Sequence, residues 1–150
     1  MDSLVEGVIL SELKIIPGEN GSVMHGLKTS DTSFHGFGEA YFSTVNKGAI
    51  KGWKRHTKMT LNIVVPVGCI RFVIYDGKKN SKTSGLFTDI KLGIDFQYSR
   101  LTVPPGLWMA FQGVGDGLNL LLNIGSIPHD PTETDQLPVN NDSIPHFNWL

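Results

Sequence analysis

Cysteine is almost absent from this chain. Its 150 residues hold only Cys69, so no intrachain disulfide can form. Cys69 follows Gly68 in an apolar run and reads as a small buried filler rather than a nucleophile. Charge is sparse too: Asp, Glu, Lys and Arg make up 18% of the residues, and the formal net charge is -1. So balanced a chain offers no bulk attraction to nucleic acid or to an anionic membrane, and neither is expected as a partner. No apolar run nears the roughly 18 residues of a membrane-spanning helix. The N-terminal segment has no basic region followed by an apolar one, and Asp2 and Glu6 interrupt it. No signal peptide is therefore expected, and a soluble cytoplasmic protein is the default. Sustained helical periodicity, internal repeats and linkers are also missing.

What is present is glycine and proline, 17 and 8 residues, punctuating short β-prone runs at the spacing of sandwiches and barrels. Residues 5–16 read as an opening strand pair, closed by the turn Pro17-Gly18-Glu19-Asn20-Gly21. Further strands are expected over 22–27, 39–45, 50–65 (one or two), 69–76, 87–92, 99–103, 108–112 and 118–124. The 29–37 and 76–81 segments read as polar loops. The continuous apolar run 118–124 is expected to be buried on both faces or in a dimer contact. Beyond Pro128 the chain reads as irregular, with one helical turn near 132–136. Its aromatic end, Phe147 and Trp149, suggests a tail pinned against the body of the protein. The expectation is one all-β domain over residues 1–150, most simply a jelly roll.

The segment Lys51-Gly52-Trp53-Lys54-Arg55-His56 carries the most chemistry. In a strand the side chains alternate between faces. Trp53, Arg55 and Thr57 then point one way, and Lys54, His56 and Lys58 the other. A lysine and a histidine two apart on one face can meet inside a barrel mouth, where an anionic sugar derivative could bind.

Six segments, in order, resemble the cupin-fold dTDP-4-dehydrorhamnose 3,5-epimerase family and its sugar-nucleotide relatives. They are Val5 to Leu10 with Leu13-Lys14; Gly38-Glu39-Ala40-Tyr41-Phe42-Ser43; Ala49 to His56; Val67 to Asp76; Leu101 to Trp108 with its Pro104-Pro105-Gly106 turn; and Asp142 to Trp149. The resemblance implies a cupin-type jelly-roll barrel, a homodimer, and proton abstraction beside the 4-keto group of a nucleotide-linked deoxysugar. It also shows departures. Lys54 stands where the family has its catalytic histidine, and histidine follows two residues later as His56. Lys51 replaces a substrate-contacting arginine. Asp142 matches the carboxylate that partners the family's base. Asn123 is the nearest match to the catalytic tyrosine, so the usual general acid is lost. His129 lies near a second family tyrosine, and the family's early arginine is replaced in Glu19-Asn20-Gly21-Ser22.

Epimerisation beside a ketone needs a base for the carbon-bound proton, an acid for the opposite face and a group to hold the enolate oxygen. His56 with Asp142 is the expected acid/base pair, and Lys54 or Lys51 the oxyanion or phosphate contact. Trp53 and Trp108 are candidates to stack on a sugar or base ring, against plain core packing. Glu39, Asn123 and His129 complete the substrate-binding candidates. Glu39 could equally be paired with a neighbouring lysine, and His129 a loop lock. Tyr41 and Tyr75 read as wall residues rather than proton donors, and His25, His35 and His146 as structural or exposed. A metal cupin needs His-x-His, then Glu, then a later His; here those places fall on Lys54-Arg55-His56, the 60–62 segment and Met109. One candidate ligand is too few, so neither a metal nor any other cofactor is expected. The rival expectations are a 3,4-ketoisomerase, reading Lys54-x-His56 as a variant His-x-His, and a non-catalytic nucleotide-sugar-binding homologue.

Overall fold

The computed structural model describes residues 3–145 and 147–149. His146 therefore lies outside the described residues. The strands are β1 (Ile9–Glu12), β2 (Ile15–Ile16), β3 (Val23–Met24), β4 (Glu39–Thr44), β5 (Ile50–His56) and β6 (Leu61–Val67). They continue as β7 (Ile70–Tyr75), β8 (Phe87–Leu92), β9 (Ser99–Val103), β10 (Trp108–Gly113), β11 (Leu120–Gly125) and β12 (Thr134–Gln136). Two five-stranded sheets form, ordered β1-β9-β6-β11-β4 and β12-β5-β10-β7-β8, with β2 and β3 as a separate two-stranded ladder. Every ladder is antiparallel. This is a cupin-type jelly roll, as expected.

Strand alternation divides the side chains of β7 with little ambiguity. Ile70, Phe72 and Ile74 enter the core between the sheets, beside Leu61, Ile63, Val65, Leu92, Leu101 and Leu121. Val73 and Tyr75 face outward into a second cluster with Trp53, Trp108, Ala110 and Ile144. Phe147 and Trp149 of the tail cover that cluster, and the Arg71 guanidinium lies 5.0 Å and 5.6 Å from their ring centres. The tail is thus pinned by apolar burial, as its aromatic end suggests.

Three expectations are corrected. The 5–16 segment is not a strand pair: β1 pairs with β9, and β2 with β3. Of the two expectations for the 118–124 run, burial on both faces gives way to burial on one, since Leu121 and Asn123 are buried while Leu120, Leu122 and Ile124 stay half-exposed. The turn near 132–136 is a single 3-10 turn, Pro131–Glu133, followed by β12. Asp130 caps that turn by accepting a bond from the Thr132 amide, and Pro131 opens it. Among the described residues no helix is long and apolar enough to cross a membrane.

Candidate active site

A cavity of about 230 Å³ opens between the two sheets. Its floor is apolar, built by Leu61, Ile63, Val103, Leu107, Met109, Phe111 and Leu121. Its polar side chains come from two walls. β5 supplies Lys51, Lys54 and His56; the facing sheet supplies Tyr41 and Ser43 from β4 and Asn123 from β11. Among the described residues no carboxylate lines the cavity, so its field is set by the lysines and favours an anionic ligand.

A bulge explains how two lysines three residues apart share one wall. On β10, Met109 pairs with Lys54 and Phe111 with Lys51, so β5 spends one extra residue over that interval. Gly52 sits in the bulge because nothing larger fits. A Cβ there would stand 2.2 Å from the Ala110 Cβ and 2.6 Å from its Cα. Lys51 reaches across the mouth, its Nζ donating to Ser43 Oγ (3.2 Å) and the Thr44 carbonyl (2.6 Å). The Lys54 ammonium forms no ion pair or hydrogen bond among the described residues, which leaves it available to a ligand.

His56 is 11% exposed at its side chain and is held from behind. Its Nδ1 donates to Glu133 Oε1 in a short contact. Glu133 is 2% exposed. Its other oxygen accepts from the backbone N–H groups of Thr57 (3.2 Å), Lys58 (3.0 Å) and Met59 (3.2 Å). Burial alone would raise the Glu133 carboxyl; the bonds from His56 and from the Lys58 and Met59 amides outweigh it and hold it below the usual glutamate range. A carboxylate only accepts, so the proton of the contact belongs to Nδ1 and the free ring nitrogen is Nε2. β12 places this carboxylate by pairing Thr134 with His56, Asp135 with Arg55 and Gln136 with Lys54.

The expected acid/base pair is therefore corrected. Asp142 does not meet His56; it is exposed, in the tail segment outside the second sheet, beside Trp53 and Ile144. Trp53 and Trp108 are corrected too. Alternation sends both to the outer cluster, 2% and 8% exposed, away from the cavity. Trp108 instead packs under the Arg55 guanidinium, 4.5 Å from its ring centre. Glu39 begins β4 opposite Gly125 and does not line the cavity, nor does it form an ion pair among the described residues. His129 is exposed in the loop before the 3-10 turn and also stands off the cavity. Lys51, Lys54, His56 and Asn123 do converge there. Asn123 Nδ2 donates to Tyr41 Oη at 2.8 Å.

Glu133 was missed because the chain beyond Pro128 reads as irregular. A signal existed: Asp130-Pro131 is a helical-turn start, which puts Glu133 at the turn's inner end. At the places where a metal cupin needs further donors, Leu61 and Met109 present alkyl and thioether groups to the cavity. Among the described residues no group of three or more His, Cys, Asp or Glu could hold a metal ion.

No protein-family model matches the chain. It is similar to a solved dTDP sugar isomerase from Desulfovibrio desulfuricans G20, with 43% identity, TM-score 0.91, and coverage of 95% of this chain and 91% of that one. It is 24% identical over 148 residues, 97% of each chain, to the spore coat polysaccharide biosynthesis protein SpsL of Bacillus subtilis. It is 28% identical over 98 residues to the probable low-salt glycan biosynthesis epimerase Agl13 of Haloferax volcanii. That match spans 65% of this chain and 62% of the relative.

Proposed function

The chain belongs to the cupin-fold family of dTDP-sugar epimerases and isomerases, and from that membership we propose that it abstracts the proton beside the 4-keto group of a nucleotide-linked deoxysugar. The observation that carries the reading is the His56–Glu133 pair at the wall of a cavity whose polar lining is cationic. Nε2 of His56 takes the proton as the carbon–hydrogen bond breaks. The electron pair moves into the ring to form an enolate, whose oxygen charge is held by the Lys54 ammonium. Glu133 fixes the ring tautomer and balances the imidazolium while the proton is aboard. The apolar floor accommodates the deoxygenated carbon of such a sugar better than it would a further hydroxyl.

The test is proton NMR of a dTDP-4-keto-6-deoxyhexose in deuterated water. Loss of the C3 or C5 proton signal is expected with the wild-type protein, and no loss with His56→Ala. Unchanged exchange in that variant removes His56 from the mechanism. A ketoisomerase reading has one specific support, the likeness to the Desulfovibrio protein, a dTDP sugar isomerase; a 3-keto product in the same spectra would establish it over epimerisation.

The natural setting of this reading is surface polysaccharide or glycoside synthesis. We also propose a homodimer. Its support is the outer face of the first sheet, where Phe42 (67% exposed) lies opposite the half-exposed Leu122, with Leu120 and Ile124 in line. Sedimentation equilibrium checks it: a monomeric mass at micromolar concentration rejects the dimer.

A further inference from the structure

Inversion at carbon needs a second proton-transfer group, placed on the side of the ring away from the base. Resting on the reading above, we propose that Tyr41 is that group: it returns a proton from the wall opposite His56, with Asn123 as its positioning residue. Three observations carry this. His56 and Tyr41 line one cavity from different sheets, so a ring lying between them meets each on a different face. Lys54 stands on the same wall as His56, and Lys51, which does reach the facing wall, is engaged there with Ser43 Oγ and the Thr44 carbonyl. Of the three polar side chains on the facing wall, only one is suited to give a proton. Asn123 has none to transfer, and the Ser43 hydroxyl is a weak acid already accepting from Lys51. A phenol is far more acidic than either.

The third observation is the hydrogen bond itself. Asn123, 6% exposed, donates Nδ2–H to Tyr41 Oη. That bond occupies an oxygen lone pair and leaves the phenolic O–H free to point elsewhere. It also places a donor on the oxygen that becomes a phenolate once the proton leaves. The balance is simple: His56 gains the proton from one face of the carbon, and Tyr41 loses one to the other face. Solvent then restores both groups, and no oxidant or further reactant is required. Tyr41, 44% exposed on the edge strand β4, is well placed for that solvent exchange.

The experiment is the stereochemistry of deuterium entry in Tyr41→Phe, a substitution that removes one oxygen. Wild-type protein should place deuterium with inversion. Tyr41→Phe should still exchange the proton through His56, with retention, while epimer formation falls at least roughly 100-fold. Asn123→Ala should shift the ratio of inversion to retention in the same direction while total exchange is kept, which a purely structural role would not do. Thermal melts check that both variants fold. Wild-type epimer formation by Tyr41→Phe overturns this inference and leaves the parent reading standing. Absence of any exchange by the wild-type protein sinks the parent reading, and the inference with it.

Discussion

Replacing Glu133 by glutamine changes little in shape and a great deal in charge. The amide can still accept from His56 through its oxygen, but its NH2 group then faces the Thr57, Lys58 and Met59 amides, which are donors themselves. A buried acceptor site filled by a donor costs about 1–3 kcal/mol for unmet hydrogen bonds. Glu133→Gln should therefore lose about that much stability in urea melts, and proton exchange should fall by about 100-fold or more as the imidazolium loses its counter-charge. Lys54→Met keeps the length of the side chain and removes the cavity lysine that, unlike Lys51, has no partner among the described residues. Exchange should drop by about 100-fold with the melting curve nearly unchanged. A fully active Lys54→Met would place the oxyanion contact elsewhere. At this scale the sequence was only half legible. Alternation along β5 puts Lys54 and His56 on one face before any coordinates are seen. The carboxylate behind His56 was not legible, because the resemblance points to Asp142 and nothing in the spacing joins residues 56 and 133.

The β5–β10 bulge is what brings both lysines of β5 to one wall of the cavity. Without the extra residue, Lys51 and Lys54 would point to opposite faces. Gly52→Ala forces a methyl group against Ala110 at 2.2 Å. The two strands must part, at a cost of about 1–3 kcal/mol by analogy with other overpacked sites. Urea melts should show that loss, and Lys54-dependent exchange should fall with it; an unaltered Gly52→Ala variant would show that the bulge is slack. Sequence alone shows Gly52 only as a glycine inside an expected strand. The tryptophans show the converse limit. Their aromatic character suggests ring stacking, yet the same alternation that turns His56 inward turns Trp53 outward, and packing under the tail takes both rings.

For the whole molecule, the all-β class and the tail's docking follow from short β-prone runs and apolar burial on both sides of the second sheet, and these were legible; strand order was not, since nothing in the spacing shows that β1 pairs with β9. Its response to acid follows from buried carboxylates. Glu133 and Asp76 both sit below their usual ranges. For each, burial opposes the shift and hydrogen bonds outweigh it, those to Asp76 coming from Ser81, Thr83 and the Lys78 amide. Each therefore binds its proton more weakly folded than unfolded. Their stabilisation is complete above the ordinary values of 4.5 and 3.8, and is lost as pH falls through the lower folded-state values. Acid titration followed by tryptophan fluorescence should show a steady, then steep, loss below pH 4.5. Thr83→Val, which removes a 2.7 Å bond to Asp76, should move the midpoint upward.

One consequence concerns solubility. β12 is short, yet it caps the border of the sheet to which His56 belongs. Were it to peel away, the outer rim of β5 would be left as bare backbone, able to zip onto another molecule. Weakening the Glu133 anchor should accordingly surface first as clumping on storage, with turnover failing in the same fraction of molecules.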